Sequence, residues 1–463
     1  MTASTLELTL SRTLDRLRTA VEDARVAAQP RLVGEVVEVR GLSVVVRGLS
    51  VRVGDLVLIG PDEVPAEVVA VHLGADSHPL ATCLPMGIMN GIGAGARVVA
   101  TGGAMRISVG EQLLGRVLDG LGRPMDGAPL PAGLERVGVE ATPPDAMTRR
   151  RVNTPLSLGI RAVDTLTPVG RGQRLGIFAG SGVGKSSLMS MITRGTQADV
   201  TVLALVGERG REVREFLDDD LGPEGLRNAV VVVATSDQPP MVRLRAAFVA
   251  TRIAEWFRES GREVLLLMDS VTRLAMAQRE IGLSAGEPPT TRGYPPSVFA
   301  MLPQLLERAG ASDCGSITGL YTVLVEGDDH NEPIADAARS ILDGHIALDR
   351  KLANAGHFPA IDVLASISRV SGAVTTPWQK TVMRAARRFI DARKDVKELV
   401  EIGAYVSGTN PDADRAIELW PSIEAFLQQD MHDLGSAEQS WAQLSAVLQL
   451  GGPSELGLEE PSA

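Results

Sequence analysis

The stretch Ala179-Gly-Ser-Gly-Val-Gly-Lys-Ser186 decides the fold of this 463-residue chain. It follows an apolar run at residues 175–179 and leads into a stretch with helical spacing, which predicts a strand, a glycine-rich loop and a helix in that order. Glycines allow successive backbone N–H groups to turn towards one centre. Because the N-terminus of the helix adds partial positive charge, this arrangement is typical of a phosphate-binding loop.

The loop defines the predicted nucleotide site. In such loops the lysine, here Lys185, bridges the β- and γ-phosphates of ATP, and the hydroxyl of Ser186 binds Mg²⁺. Ala179 stands where the usual pattern G-x-x-x-x-G-K-S has its first glycine. The predicted nucleotide-binding residues are Ala179, Gly180, Ser181, Gly182, Val183, Gly184, Lys185, Ser186, Ser187 and, by the resemblance given below, Phe358.

Two acidic residues follow apolar runs farther along the chain. Asp269 ends the run at residues 264–268, where a strand delivers a carboxylate able to hold the water shell of Mg²⁺. Glu208 follows the run at residues 200–206 and is predicted to lie at the same sheet edge as Lys185. There it would orient and deprotonate water, a role worth about 10²–10⁴ in rate. The alternative is a solvated loop glutamate. Arg209 is placed to touch the γ-phosphate.

The pattern of the chain predicts an α/β fold. Runs rich in Val, Leu and Ile alternate with helical stretches, which indicates a parallel sheet covered on both faces. The runs are at residues 175–179, 200–206, 230–234, 264–268 and 317–325. Short Val-rich runs separated by glycines from residue 31 to about 101 indicate a small β-barrel or sandwich. After Pro377 the sequence is helical and charged to about residue 450.

These changes suggest domain boundaries. Leu10, Leu14, Leu17 and Val21 fall at helical spacing and predict an amphipathic helix within residues 1–25, packed on its own domain or docked on a partner. We predict a β-barrel domain at residues 26–101, the central domain at 102–375 and a helical domain at 376–450. The Gly- and Pro-rich stretch at 119–127 indicates a junction between domains. Residues 451–463 are predicted to be a disordered acidic tail.

Composition excludes several classes. The net charge of -11 argues against general nucleic-acid binding, which usually needs a basic face. Two cysteines make no disulfide framework and favour a reducing compartment. The N-terminal residues do not form a secretory signal, and the apolar runs are far shorter than the roughly 20 residues that a membrane helix needs. The sequence therefore predicts a soluble cytoplasmic protein.

Several longer motifs resemble a known family. Pro359-Ala-Ile-Asp-Val-Leu-Ala-Ser-Ile-Ser368 fits the ten-residue signature of the α/β ATPases, and the stretch at 115–126 is similar to their interdomain junction. The loop at 287–299 is typical of export ATPases, and the stretch from Trp420 to Gln429 favours the flagellar branch. From about residue 31 to 450 the chain resembles the rotary-type ATPases related to the F-type β subunit, and within them the flagellar type III protein export ATPases.

The resemblance implies a small N-terminal β-barrel, a RecA-like central domain with a mostly parallel sheet, a C-terminal helical domain and a ring of six subunits. It gives Glu208 the role of general base and Arg369 that of an arginine finger supplied to the neighbouring subunit. The local sequence alone does not distinguish such a finger from a surface arginine. The resemblance also places Phe358 on the adenine ring, and a core role for Phe358 is an equally open alternative.

The resemblance also implies partners. These are a stator-like regulator at the N-terminal helix, a coiled-coil stalk protein in the pore, export chaperones and substrates, and a membrane-embedded export gate. The implied location is cytoplasmic, peripheral to the inner-membrane export apparatus. The alternatives are a virulence-secretion ATPase, a non-catalytic ring subunit and a ring-shaped RNA translocase. Glu208 disfavours the second, and the lack of Phe, Tyr and Trp at residues 31–101 disfavours the third.

Overall fold

The computed structural model describes residues 32–74, 77–325 and 332–453. The predicted N-terminal helix at residues 1–25 and the predicted tail, except residues 451–453, lie outside these ranges. The chain forms two compact units, which divide between Ala104 and Met105. Within the described ranges, every helix is too short or too polar to cross a membrane.

The first unit is a closed antiparallel barrel with the strand order β1-β2-β5-β4-β3-β6. The strands are β1 (Val33–Arg40), β2 (Ser43–Arg47), β3 (Asp55–Ile59), β4 (Val64–Leu73), β5 (Pro79–Pro85) and β6 (Arg97–Ala104). Alternate side chains point inwards, as a barrel requires, and the interior is filled mainly by valines with the buried thiol of Cys83. The sequence left a barrel and a sandwich open, and the structure is a barrel.

The second unit is built on a nine-stranded, mostly parallel sheet with the order β19-β18-β12-β17-β15-β13-β14-β8, to which β16 adds beside β17. Its strands are β8 (Val117–Asp119), β12 (Arg174–Ala179), β13 (Val200–Glu208), β14 (Ala229–Thr235), β15 (Glu263–Asp269), β16 (Gly310–Ala311), β17 (Ser316–Leu324), β18 (Gly344–Leu348) and β19 (Ile361–Ser368). Two small pairs, β7 (Arg106–Val109) with β9 (Glu135–Gly138) and β10 (Pro155–Leu156) with β11 (Val169–Gly170), flank it. All five predicted strands of the central domain are present, so the predicted fold class is confirmed.

Helices cover the sheet and follow it. They are α1 (Arg161–Leu166), α2 (Lys185–Gly195), α3 (Gly210–Glu215), α4 (Gly222–Leu226), α5 (Pro240–Glu259), α6 (Val271–Ser284), α7 (Pro296–Leu306), α8 (Pro333–Ile341), α9 (Arg350–Asn354), α10 (Ser371–Val374), α11 (Pro377–Glu401), α12 (Pro411–Leu427) and α13 (Ala437–Val447). A π-helical turn at Phe216–Leu221 joins α3 to α4. Single 3₁₀ turns lie at Glu111–Leu113 and Thr291–Gly293.

Strand direction determines which residues can share a site. The strands β12, β13, β15, β17 and β18 are parallel, so their carboxyl ends lie at one edge of the sheet. The last strand, β19, is antiparallel to β18, with Ile361 opposite Leu348 and Ser368 opposite Gly344. Therefore β19 begins at the edge where the other strands end, and it ends at the opposite edge.

Two observations bear on the predicted domain boundaries. The stretch at 119–127 is not the junction between the compact units, because Val117–Asp119 is a strand of the central sheet and the division lies at residue 104. The last three helices share a continuous apolar core with the sheet, to which Phe389, Leu419 and Trp441 contribute. The boundary between residues 375 and 376 therefore remains a prediction.

A buried ion pair joins two helical segments of the second unit. Arg308, which follows α7, donates from Nε and Nη2 to the two carboxylate oxygens of Glu255 on α5, both at 2.7 Å. The side chains of Arg308 and Glu255 are 2% and 1% exposed. Arg308 also donates to the carbonyl oxygen of Val139 at 3.1 Å. Such a pair is costly to break, because the remaining charge is left buried without its partner.

We expect Glu255→Gln to destabilise the second unit by about 3–5 kcal/mol, because Arg308 would keep its charge without a counterion. Glu259→Gln is the matched control one turn later on the same helix: Glu259 is 52% exposed and pairs with Arg252. An exposed pair contributes about 0–1 kcal/mol. Urea denaturation followed by circular dichroism measures both variants. Equal midpoints for the two variants would contradict the expected result.

Candidate active site

The phosphate-binding loop has the predicted geometry. The strand β12 ends at Ala179 and α2 begins at Lys185, with the loop between them. Gly182 and Gly184 have φ angles of 75° and 87°, a left-handed conformation that favours glycine. The backbone N–H of Leu188 donates to the carbonyl oxygen of Gly184 at 3.0 Å and closes the first turn of the helix. The free N–H groups of this turn therefore face the loop.

The loop borders a cavity of about 680 Å³. The lining comprises Gly180, Ser181, Gly182, Gly184, Lys185, Ser186, Ser187, Glu208, Arg209, Glu212, Arg273, Leu324, Val325 and Arg350. Two other predicted residues of the loop, Ala179 and Val183, are each 1% exposed and pack in the core beneath it. A cavity bordered by a phosphate-binding loop and by the carboxyl ends of neighbouring strands is suited to a nucleotide.

Lys185 lies between two carboxylates. Its Nζ is 2.5 Å from Oδ1 of Asp269 and 3.5 Å from Oε1 of Glu208. The side chains are 13%, 6% and 10% exposed for Lys185, Asp269 and Glu208 respectively. Three charges in so little water interact strongly, and the ammonium group balances part of the carboxylate charge. The structure thus brings together the three residues that the sequence placed at one sheet edge.

Asp269 is held from a neighbouring strand as well. The strand β17 is paired with β15, and Tyr321 lies opposite Met268. Thr322, the next residue on β17, donates from its hydroxyl to Oδ1 of Asp269 at 2.6 Å. Thr322 is fully buried. The same carboxylate oxygen therefore accepts hydrogen bonds from both Thr322 and Lys185, which fixes its position.

Glu208 has a second cation beside it that the sequence did not suggest. Nε of Arg273 is 3.2 Å from Oε1 of Glu208. The stem of Arg273 packs over Gly207, where a Cβ atom would lie 3.0 Å from Cβ of Arg273, and Gly207 has a φ of 75°. Arg273 is in the first turn of α6, four residues after Asp269. This short spacing could have identified Arg273 in the sequence, because a helix that directly follows a strand begins at the sheet edge where that strand ends.

Two further arginines border the cavity. Arg209, predicted to touch the γ-phosphate, lines it, and its side chain is 76% exposed and pairs with Glu212 at 3.0 Å. Arg350 was not predicted. It lines the cavity because it follows β18, and β18 lies beside β12. With Lys185 and Arg273 they surround the cavity with positive groups, which suits a polyanionic ligand.

Phe358 lies against the phosphate-binding loop. The closest atoms of its ring are 3.2 and 3.3 Å from the position that a Cβ atom of Gly184 would occupy. Its side chain is 45% exposed, so it is not a core residue. The preceding His357 is buried, and its burial lowers the pKa of the imidazole. The negative charge of Glu424 acts in the opposite direction but has the smaller effect. Phe358 therefore offers an exposed aromatic ring, and its contact with adenine remains a prediction.

Arg369 is not brought to this cavity within the chain. It follows the end of β19, at the sheet edge opposite to Lys185. Its side chain is exposed and lines a separate cavity of about 340 Å³. Its backbone N–H donates to the carbonyl oxygen of Asp343 at 2.9 Å, and its Nη2 to that of Arg339 at 3.5 Å. Arg369 therefore does not border the cavity beside Lys185, and its role as an arginine finger remains a prediction.

Comparison with known sequences decides the family. The profile of the ATP synthase alpha/beta family, nucleotide-binding domain, matches residues 159–368, and that of the T3SS EscN ATPase C-terminal domain matches residues 375–446. The flagellum-specific ATP synthase of Bacillus subtilis (strain 168) is 50% identical over 414 residues, which are 89% of this chain and 94% of that protein. The chain belongs to the ATP synthase alpha/beta family. Relatives of the chain are named flagellum-specific ATP synthase and type 3 secretion system ATPase, and the chain is an ATP-hydrolysing enzyme.

Relatives from both kinds of system are similar to this chain. The SPI-2 type 3 secretion system ATPase of Salmonella typhimurium is 48% identical over 395 residues, covering 85% of this chain and 90% of that protein. Two solved structures show the assembled ATPase EscN from the type III secretion system of enteropathogenic E. coli, one of them in complex with its central stalk EscO. They align with TM-scores of 0.85 and 0.84 at 45% identity, over 90% of this chain and 100% of theirs.

We expect Thr322→Val to lower kcat for ATP about tenfold to a hundredfold with the fold intact. The side chain keeps its shape, but Asp269 loses a charge-assisted hydrogen bond of roughly 1.4–2.8 kcal/mol. Thr318→Val is the matched control. Thr318 lies on the same strand, is 1% exposed and accepts a hydrogen bond from the N–H of Gly172. A steady-state ATPase assay that finds both variants equally active, or equally impaired, would count against a specific role for Thr322.

Proposed function

We propose that this chain hydrolyses MgATP to energise protein export through the flagellar type III apparatus. One observation carries the chemistry: Lys185, Glu208 and Asp269 meet at the edge of the sheet beside the phosphate-binding loop. An ammonium group and two carboxylates in a nearly dry site are what ATP hydrolysis requires of the protein, because its catalysis depends mainly on positioning and charge. Relatives named flagellum-specific ATP synthase and type 3 secretion system ATPase support a role in a flagellar or secretion system.

The donors present fit Mg²⁺ bound together with ATP. Mg²⁺ prefers oxygen ligands and is usually held by one or two protein oxygens plus substrate phosphates and water. Ser186 offers a hydroxyl at the cavity, and Asp269 offers a fixed carboxylate. Across the described ranges there is no cluster of three or more His, Cys, Asp or Glu side chains that could hold a metal without the nucleotide. Bound Mg²⁺ would neutralise the phosphate charge, with Ser186 as its direct ligand and Asp269 acting through water.

ATP would replace the contacts that Lys185 makes with the carboxylates. The backbone N–H groups of the loop and the ammonium group of Lys185 would bind the β- and γ-phosphates. Glu208 would then be free to accept a proton from the water that attacks the γ-phosphorus atom as the bond to the ADP oxygen breaks. Arg273, at 3.2 Å from Glu208, holds this carboxylate at the cavity. Arg209 and Arg350 would balance charge on the phosphates.

We expect Glu208→Gln to lower kcat about 10²–10⁴-fold while ATP binding changes little, because the amide keeps the shape but cannot take the proton. Glu212→Gln is the control, since Glu212 borders the same cavity but is 45% exposed. ATP turnover and the dissociation constant for ATP are measured for both. Turnover of Glu208→Gln near that of the unchanged protein would rule out the base and would favour a non-catalytic subunit.

The position of Arg369 supports a shared site. The arginine lies at the sheet edge opposite to the chain's own cavity, so it would have to complete the site of a neighbouring subunit. The solved EscN structures are of an assembled ATPase, which supports a ring, and the resemblance implies six subunits. An arginine supplied in this way is worth about 10³–10⁵ in rate, because it stabilises charge that develops only in the transition state.

We expect Arg369→Ala to abolish most turnover and to leave ATP binding nearly unchanged. A mixture of Arg369→Ala with Lys185→Ala subunits should then regain activity, because an intact Lys185 site would receive the intact Arg369 of its neighbour. Arg388→Ala is the control, an exposed arginine on α11. An inactive mixture of well-assembled rings would show that Arg369 does not act across the interface, and a parallel loss of ATP binding would show that it is not a finger.

The remaining partners are proposed from the resemblance. A stalk protein in the pore is supported by the EscN structure that contains the central stalk EscO. The stator-like regulator at residues 1–25, the export chaperones and substrates, and the export gate are further proposed partners. We propose a cytoplasmic location at the inner-membrane export apparatus. No nucleic-acid partner is proposed, because the net charge is -11.

A function as a virulence-secretion ATPase is the main alternative to the flagellar function. The two kinds of relative differ little in similarity, with 48% identity for the SPI-2 ATPase and 50% for the Bacillus subtilis protein. The stretch from Trp420 to Gln429 favours the flagellar assignment. Neighbouring genes for flagellar rod and hook proteins, and not for needle-complex proteins, would separate the two functions. The ATPase chemistry is the same in both.

A further inference from the structure

The backbone of Phe358 is attached to the C-terminal part of the chain. Its carbonyl oxygen accepts a hydrogen bond of 2.9 Å from the backbone N–H of Gln429. Gln429 lies two residues after the end of α12 and is 5% exposed. The ring of Phe358 lies against Gly184 in the phosphate-binding loop. Gln429 is therefore one hydrogen bond away from the residue that covers this loop.

The side chain of Gln429 is fixed by three hydrogen bonds. Its Nε2 donates to the carbonyl oxygens of Gly159, at 2.8 Å, and of Asp433, at 2.5 Å. Its Oε1 accepts from the backbone N–H of Arg161 at 2.8 Å. An amide has two donor hydrogens and one carbonyl oxygen, so all its polar atoms are paired. The bond to Gly159 is buried and the other two are partly buried, so loss of the bond to Gly159 leaves a buried carbonyl oxygen without this partner.

Arg161 strengthens this attachment. Its guanidinium donates from Nε to the carbonyl oxygen of Phe426 at 3.1 Å and from Nη2 to that of Gln428 at 2.6 Å. Its Nη1 pairs with the carboxylate of Asp433 at 2.6 Å. Hydrogen bonds from Arg161 and to its backbone N–H thus bind the segment that follows α12 to the start of α1. Gln429 is the residue in this segment whose N–H holds the carbonyl of Phe358.

Gln429 connects residues at the two ends of α2. Phe358 contacts Gly184, which precedes the first residue of the helix, Lys185. Gly159, which accepts a hydrogen bond from Gln429, packs on the last residue of α2, Gly195: a Cβ atom on Gly159 would lie 2.8 Å from Cα of Gly195. One buried amide residue therefore fixes both segments that pack on the ends of the helix bearing Lys185.

We propose that Gln429 is a positioning residue for the nucleoside part of ATP. Gln429 holds Phe358 at the phosphate-binding loop. The C-terminal helical part of the chain, to which Gln429 belongs, therefore sets the affinity for the base and ribose, while the loop sets the affinity for the phosphates. This inference rests on the proposed contact between Phe358 and adenine. The inference can be tested because the protein can be offered the phosphates with and without the nucleoside.

The test compares ATP with inorganic tripolyphosphate, which has the phosphates but no nucleoside. In Gln429→Glu the side chain keeps its shape, but a carboxylate oxygen replaces the donor that faces the carbonyl oxygens of Gly159 and Asp433. We expect KM for ATP to rise about five- to tenfold, as for the loss of one or two buried hydrogen bonds. The inhibition constant of tripolyphosphate and kcat should each stay within about twofold.

Gln439→Glu is the matched control. Gln439 is exposed at the third position of α13, where its side chain accepts from the N–H of Ser436, a role that glutamate also fills. Its KM for ATP should be unchanged. If Gln429→Glu does not fold, Gln429→Leu introduces no buried charge and removes the two donated hydrogen bonds together with the one accepted from Arg161. Equal weakening of ATP and tripolyphosphate in the variant that folds would show that Gln429 only stabilises the fold, and would overturn the inference.

Phe358→Ala separates this inference from the proposed base contact. If Phe358→Ala leaves KM for ATP unchanged, the contact between Phe358 and adenine is wrong, and the proposed role of Gln429 fails with it. If Phe358→Ala raises KM for ATP and both Gln429 variants leave it unchanged, the base contact stands and the role of Gln429 is wrong. A rise in all of these variants, with tripolyphosphate unaffected, supports the inference.

Discussion

The ammonium group of Lys185, between the carboxylates of Asp269 and Glu208, is the interaction on which the catalytic centre depends. Asp269 and Glu208 end the neighbouring strands β15 and β13, and Lys185 follows the phosphate-binding loop after β12, which β17 separates from β15. These strands are parallel, so their carboxyl ends lie at one edge of the sheet and the three side chains meet there. The charges compensate one another where little water is present. Under the proposed function, a bound phosphate chain would replace these carboxylates as the partner of Lys185.

Much of this arrangement could be predicted from the sequence because it is local. The phosphate-binding loop, the strand before it and the strand ending at Asp269 are each contained in fewer than about ten residues. Glu208 could be placed because it ends a recognisable run. Arg273 and Arg350 could not, because their proximity depends on the order of strands in the sheet, and no single segment contains that order. The position of Phe358 on Gly184 depends on long-range packing in the same way.

Local amino-acid composition predicted the domain boundaries less well than the apolar runs predicted the strands. The glycines and proline at 119–127 suggested a junction between domains, but these residues form the turn that follows a short edge strand of the central sheet. A turn and a linker require the same flexible residues, so composition does not distinguish them. Likewise, the change to helical sequence after Pro377 is real, although those helices continue the core of the sheet.

The antiparallel direction of β19 affects where each subunit can offer residues to its neighbours. Phe358 precedes this strand and Arg369 follows it. Its ends, Ile361 and Ser368, lie opposite Leu348 and Gly344, so the strand spans about 14 Å, four steps of roughly 3.4 Å. The register shifts between Asp362 and Ile367, so the chain bulges in the middle of β19 while its two ends stay paired with β18. Under the proposed function, each subunit therefore has its own phosphate-binding loop at one edge of the sheet and the arginine for a neighbour's site at the other edge. A ring built in this way would have a direction, because each subunit would give its arginine to one neighbour and receive an arginine from the other.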